Sequence, residues 1–131
     1  MLFLDASALI KRYVVEDGSP QVVELMARDT TWCASALCLA EVHVTLCHLA
    51  FDERTLSRLA PAADADWQRF FVVPADELCL ARAVEIGCAH RVRTLDAIHL
   101  AAAERIREPV TFFTFDERQR KAAEALALIV A

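Results

Sequence analysis

Glycine and proline are scarce: the 131-residue chain holds two of the first and four of the second. Linkers and low-complexity tracts are rich in both, so neither is expected, and no repeat of solenoid period recurs. Cysteines are present but lack a pattern. Cys33, Cys38, Cys47, Cys79 and Cys88 are odd in number, no two form a C-x-x-C pair, and most stand among apolar neighbours. A disulfide framework or zinc site is therefore set aside in favour of buried free thiols acting as small hydrophobes. Long uncharged runs are missing too. The most apolar stretch, Cys33 to Phe51, contains Glu41, His43 and His48 and is a poor bilayer span. Leu2-Phe3-Leu4 meets Asp5 at once, and Lys11-Arg12 follow too late for a signal peptide. A soluble, cytoplasmic protein with no membrane partner is expected.

What is there suits one compact domain over residues 1–131. Hydrophobic residues make up 56% against 25% charged, enough for a sizeable core and against disorder. The net charge of −5 argues at first against a nucleic-acid partner. If four acids are metal ligands, however, setting them aside takes −5 to −1, and bound cations turn the local field toward positive. Charge alone decides nothing here.

Leu2-Phe3-Leu4 reads as a short buried strand ending at Asp5, and Ala6 to Val15 as a helix with Ser7 near its start. Gly18-Ser19-Pro20 breaks the chain and opens a helix whose apolar face is Val22, Val23, Leu25 and Met26. Thr30 to Cys33 suggests a second strand, after which Ser35 is placed to cap a long helix running to about Ala50. Asp52 caps another helix that Pro61 should end or kink, with helix resuming from Ala62 to Phe71. Phe71-Val72-Val73 is a third strand closed by Pro74. Asp76 to Arg91 reads as a helix with Leu78, Leu80, Ala83, Val84 and Ile86 as its apolar positions, and Thr94 can cap the next, to about Arg107. Pro109 to Phe115 is a strand stopping at Asp116, followed by a helix from Glu117 to about Leu126 and a terminal strand at Leu128-Ile129-Val130. Short apolar strands alternating with amphipathic helices indicate an α/β fold with a parallel sheet covered on both faces. Sites in such sheets form beyond the carboxyl ends of the strands, where Asp5 and Asp116 both fall.

Most of the 19 acids lie in polar or helix-starting surroundings; four do not. Asp5 follows Leu-Phe-Leu, Glu41 is the only acid between Thr30 and Phe51, Asp96 precedes Ala-Ile-His-Leu-Ala-Ala-Ala, and Asp116 ends Val-Thr-Phe-Phe-Thr-Phe. A carboxylate in apolar surroundings is costly unless paired, hydrogen-bonded or bound to a cation. Four of them, without a matching number of nearby Lys or Arg, point to metal. Hard oxygen ligands suit Mg²⁺ or Mn²⁺, which bridge to phosphate and assist phosphodiester hydrolysis. Each acid also has a plainer explanation. Asp5 and Asp116 could be helix N-caps, and Asp96 could complement the dipole in a first helical turn. Glu41, in mid-helix, gains nothing from a cap.

These residues resemble a known family. Leu4-Asp5-Ala6-Ser7-Ala8-Leu9-Ile10-Lys11-Arg12-Tyr13 is similar to the opening motif of PIN domains, especially the VapC-like toxins of toxin–antitoxin pairs. Ser35 to Val42 resembles the helix bearing their second acid (Glu41), Leu95 to Ala101 their third motif (Asp96), and Thr114-Phe115-Asp116 their fourth. The resemblance implies a three-layer α/β/α sandwich with a mainly parallel sheet and a Mg²⁺- or Mn²⁺-dependent endoribonuclease acting on RNA. It also implies a homodimer and inhibition by a cognate antitoxin. Asp5, Glu41, Asp96 and Asp116 are then the metal ligands and catalytic residues. One departure is Ala127, where relatives often carry glycine before the last strand.

Other candidates have alternatives of their own. Thr114 is placed to orient Asp116 or a metal water, or is an ordinary strand threonine; Ser7 is similar, with an N-cap as its alternative. His99 lies on the face of Asp96 as a general acid or, more simply, a packed histidine. His43 and His48 near Glu41 are read as packing. Lys11 and Arg12, like Arg91 and Arg93, could meet phosphate or simply end helices in solvent. Trp32 and Trp67 could stack on bases, but core packing is the better account. Three rival readings stand beside this one. A phosphatase of the haloacid-dehalogenase type wants a second Asp where Ser7 stands and leaves Glu41 idle. A catalytically inactive PIN-like binding module would be expected to have lost an acid. An RNA-processing nuclease without a toxin role remains the third.

Overall fold

The computed structural model describes residues 1–49 and 52–131, so the end expected for the third helix, at Ala50, lies outside the described residues. Among the described residues five strands form one sheet: β1 (Leu2–Leu4), β2 (Trp32–Ser35), β3 (Phe71–Val73), β4 (Thr111–Phe113) and β5 (Ile129–Val130). Seven α-helices of the same residues surround it: α1 (Ala6–Leu9, continued by a 3-10 turn at Ile10–Arg12), α2 (Ser19–Arg28), α3 (Cys38–His48), α4 (Glu53–Trp67), α5 (Glu77–His90), α6 (Thr94–Glu104) and α7 (Glu117–Ala125). The strand order is β3-β2-β1-β4-β5, and all four pairings are parallel.

The sheet is buried on both faces because neighbouring strand residues point to opposite sides. Phe3, Cys33 and Phe112 join one core with the inner faces of α5, α6 and α7. Leu2, Leu4, Trp32, Ala34 and Phe113 join a second core with α1 to α4. The expected three-layer α/β/α arrangement is thus what these alternations produce. Phe3 and Phe112 stack across the β1–β4 pair, their ring centroids 5.5 Å apart.

Several local expectations are corrected. The second strand is Trp32–Ser35, two residues later than read, because its register against β1 pairs Leu2 with Trp32 and Phe3 with Cys33. Ser35 therefore ends a strand and caps nothing; α3 begins at Cys38 with no side-chain cap. The first helix stops at Leu9 and tightens into the 3-10 turn, short of Val15. Pro61 does not end α4, which runs through it to Trp67; the proline is on the exposed side, where solvent can satisfy the carbonyl it leaves free. Thr94 is the first residue of α6 rather than its cap. On α5 the inward residues are Cys79, Ala83 and Ile86, small enough to bring α5 close to the alanines of α6. Leu78, Leu80 and Val84 face outward, as does Val23 on α2. Three of the five cysteines are buried, while Cys47 and Cys88 are exposed, and all five are free. No helix among the described residues is long and apolar enough to cross a membrane.

Ala127, between α7 and β5, adopts a left-handed φ of 59°. An L-residue there is strained by roughly 1 kcal/mol relative to glycine. Ala127→Gly is expected to stabilise the fold by about that amount, roughly 3–5 °C in Tm. Thermal melting of the two proteins checks it; an unchanged or lower Tm would show that the turn carries no strain.

Candidate active site

The strand order reverses between β1 and β4: β1 leads by crossover to β2 on one side, and β4 to β5 on the other. Open parallel sheets gather ligands in the crevice beyond such a switch point. Here that crevice is a cleft of about 200 Å³ lined by Asp5, Ser7, Glu41, Arg93, Asp96, His99 and Asp116, with Ala6, Ile10 and Thr45 completing its wall. The four acids, spread over the whole chain, meet in one cleft.

Asp5 follows β1 directly and is 3% exposed. Its Oδ1 accepts the Ala8 N–H at 2.9 Å, which caps α1, and its Oδ2 accepts the Thr114 hydroxyl at 2.8 Å. The Ser7 hydroxyl, 2.8 and 2.9 Å from the two oxygens, donates to the same carboxylate and accepts the Phe115 N–H at 2.9 Å. Burial nevertheless pushes the Asp5 pKa up, despite the opposing charge of His99 and these hydrogen bonds. The group is a desolvated carboxylate short of positive charge.

Asp116 divides its oxygens in the same way. Oδ1 accepts the N–H groups of Arg118 (2.9 Å) and Gln119 (3.0 Å) to cap α7, while Oδ2 turns to Arg93 at 3.5 Å. Cap and cleft residue, offered as alternatives by the sequence, hold together for both Asp5 and Asp116. Asp96 sits in the first turn of α6, its Oδ2 3.1 Å from Arg93 Nε. Arg93 itself is 78% exposed at the side chain. The Asp96 hydrogen bond first, then the charges of Asp96, Asp116 and Glu41, hold its guanidinium firmly protonated.

Glu41 projects from α3 and meets His99 Nε2 at 2.5 Å, while Nδ1 of the same ring is 2.8 Å from the Ser35 hydroxyl at the end of β2. His99 is 2% exposed, so the ring is packed, and it holds Glu41 at the cleft it also lines. Thr114 is fully buried and joins β4 to everything nearby: Asp5, the Asp116 N–H at 3.0 Å, Gln119 Oε1 at 2.7 Å and Ser7 at 3.2 Å. Neither Ser7 nor Thr114 is an ordinary surface or strand hydroxyl, and Ser7 caps no helix.

Arg93, one of the residues the sequence offers for phosphate contact, lines the cleft, while two residues of the site escape the sequence. Ser35, expected to cap a helix, ends β2 and meets His99 instead. Gln119, wholly buried, accepts from Thr114 and donates through Nε2 to the Asp96 carbonyl at 3.3 Å, tying α7 to α6. Its signal was a polar residue in phase with the buried Ala122 and Ala123.

Lys11 and Arg12 do not line the cleft. Lys11 donates to Glu16 (3.0 Å) and to the Asp17 carbonyl, over the Phe115 ring, and Arg12 bonds Asp66 of α4 at 2.5 Å. Trp32 is core, its indole N–H shared by the Met26 and Asp29 carbonyls, and Trp67 stacks on Phe70. His43 pairs with Asp64 of α4, and His48 is exposed.

As the side chains stand, no three Asp, Glu, His or Cys groups among the described residues converge closely enough to chelate one ion. Arg93 bridges Asp96 and Asp116 instead. The donor chemistry still fits a hard divalent cation: four carboxylates, one of them desolvated, line the cleft beside the Ser7 hydroxyl and the His99 ring, and the Arg93 side chain that bridges two of them is largely exposed.

Residues 2–125 match the family model described as the PIN domain. The chain is 32% identical to Ribonuclease VapC46 of Mycobacterium tuberculosis, over 98% of this chain and 95% of that protein. Among solved structures, it resembles Mycobacterium tuberculosis VapC20, a toxin that cleaves the sarcin–ricin loop, with a TM-score of 0.77, 19% identity, and coverage of 93% of this chain and 95% of the other. It also resembles a chain of a toxin–antitoxin complex from Klebsiella pneumoniae, with a TM-score of 0.69, 18% identity, and coverage of 88% and 87%.

Proposed function

The chain belongs to the PIN-domain family, among the VapC-like ribonucleases, and from that premise we propose that it is a Mg²⁺- or Mn²⁺-dependent endoribonuclease acting as the toxin of a toxin–antitoxin pair. The observation that carries the proposal is the meeting of Asp5, Glu41, Asp96 and Asp116 in one cleft at the switch point of the sheet. Those four carboxylates would hold the cation. When bound, it supplies positive charge to the scissile phosphodiester and makes a water acidic enough to attack.

The chain's own groups do the positioning. Ser7 and Thr114 orient Asp5, His99 and Ser35 hold Glu41, and the α7 amides fix one oxygen of Asp116 so that the other faces the cleft. Arg93, bonded to Asp96 and Asp116 yet largely exposed, would have to release both for a cation to be held there, and its guanidinium would then be available to substrate phosphate. Phosphate contact is accordingly assigned to Arg93 rather than to Lys11 and Arg12, whose charges are already matched. A complete set of acids favours an active enzyme over an inactive binding module. A homodimer is proposed with the family, the exposed Leu80 and Val84, one turn apart on α5, offering an apolar face, and the cytoplasm with its RNA is the proposed setting.

Purified protein incubated with RNA and Mg²⁺, Mn²⁺ or EDTA should cleave only with a cation. Arg93→Gln should bind Mn²⁺ up to about fivefold more tightly by calorimetry, since an exposed ion pair contributes at most about 1 kcal/mol to holding the site closed. Cleavage that persists in EDTA, or no cation binding by either protein, would sink the metal-dependent reading.

A further inference from the structure

A second cleft of opposite character lies beside the acids. His90 and Arg91 at the end of α5, with Arg118, Lys121 and Ala122 of α7, line a cavity of about 400 Å³. Four of its five lining residues are basic, in a chain whose net charge is −5. Lys121 reaches Glu117 at 3.8 Å, one turn away on α7. Arg91 and Arg118 have no ion-pair partner among the described residues. Two uncompensated guanidinium groups in one concavity of an acidic protein need a reason.

The backbone offers one. Arg91 ends α5 with φ 53° and ψ 38°, the left-handed conformation for which helix ends favour glycine. An arginine kept where glycine is easier is a local conflict of the kind found at functional positions. Both basic segments also run directly into the carboxylate cleft. Arg91 precedes Arg93 by two residues, and Arg118 follows Asp116 by two, with its own N–H on Asp116 Oδ1 at 2.9 Å. Two residues of chain span at most about 7 Å, the rise of one or two nucleotides along a strand. The cavity is an open one, so the backbone of a strand can lie along it.

We propose that this basic cleft holds the phosphate backbone of single-stranded RNA on one side of the bond cut in the carboxylate cleft. Arg91 and Arg118 make the principal phosphate contacts, and His90 and Lys121 flank them. The proposal rests on the ribonuclease reading and names where its substrate lies.

The test is fluorescence anisotropy of a labelled oligoribonucleotide of about 12 nucleotides, in EDTA and over a range of salt. Wild type is compared with Arg91→Gly and with the double variant Arg91→Gly/Arg118→Gln. The double variant should bind at least about tenfold more weakly, with the slope of log K against log salt reduced by about 1.4, the loss of two single-strand phosphate contacts. Arg91→Gly alone should weaken binding yet raise the melting temperature, because glycine relieves the left-handed backbone; a folding defect would lower both. Equal affinity and slope in all three proteins, or no binding by wild type at low salt, would overturn the proposal. Wild-type binding without cation-dependent cleavage would keep the basic cleft and remove the nuclease. Cleavage with binding unchanged in the double variant would do the reverse.

Discussion

Asp5→Asn is expected to abolish RNA cleavage, by at least about 10³-fold, while leaving a protein as stable as the parent or more so. The two effects have one cause. Asp5 is a carboxylate 3% exposed, held by Ser7, Thr114 and the Ala8 amide, with no basic side chain bonded to it. Its charge is what a cation would use, and what the cation-free fold has to tolerate. Burial raises its pKa above the ordinary 3.8. A carboxyl group with a raised folded pKa contributes stability that is fully present below the unfolded value and is lost as pH rises through the folded one. The melting temperature of wild type in EDTA should therefore fall relative to Asp5→Asn as pH climbs from about 4 toward neutrality. Asparagine keeps an acceptor for the Ala8 N–H and carries no charge to desolvate. Adding Mn²⁺ should raise the wild-type melting temperature and leave the variant unmoved. A variant less stable than wild type at every pH would show that the Asp5 charge stabilises the fold and that its burial has been misjudged.

The four acids were legible because a charge in an apolar run has few explanations, and Asp5 and Asp116, read just past the ends of two strands, fall at the mouth of a parallel sheet. The sequence could not show that capping and cleft-facing are compatible. A carboxylate has two oxygens, and in both residues one serves the helix while the other serves the site. Errors clustered where tertiary contact overrides local preference. Ser35 looks like a cap until the register of β2 makes it the end of a strand, beneath His99. The apolar residues of α5 outnumber the places its partner helix can take, so the small Cys79 and Ala83 went inward and Leu78 outward. Arg93 and Gln119 carry no motif of their own. Their roles arise only when α6 and α7 are brought side by side.

Thr114→Val removes one hydroxyl from the centre of that arrangement and should cost about 2–4 kcal/mol, the second large effect. The substitution nearly conserves shape, so no cavity forms, but valine neither donates nor accepts. The Asp116 N–H loses its acceptor, and Gln119 Oε1 and Asp5 Oδ2 lose a donor they share. Thr114 has a single proton for those two oxygens, and the charged Asp5 has the stronger claim. Turning the Gln119 amide over cannot restore the balance, because its oxygen would then face the Asp96 carbonyl. All of these groups are buried or nearly so, which is why leaving them unmatched is expensive. The melting temperature should drop by roughly 10 °C. Cleavage should fall about 10- to 100-fold as the supports of Asp5 and Asp116 loosen. Thr114→Ser keeps the hydroxyl and should recover most of the activity, losing only a methyl group's packing. If valine proves as stable as threonine, the hydroxyl is not the hub of the site, and Ser7 alone must set the orientation of Asp5.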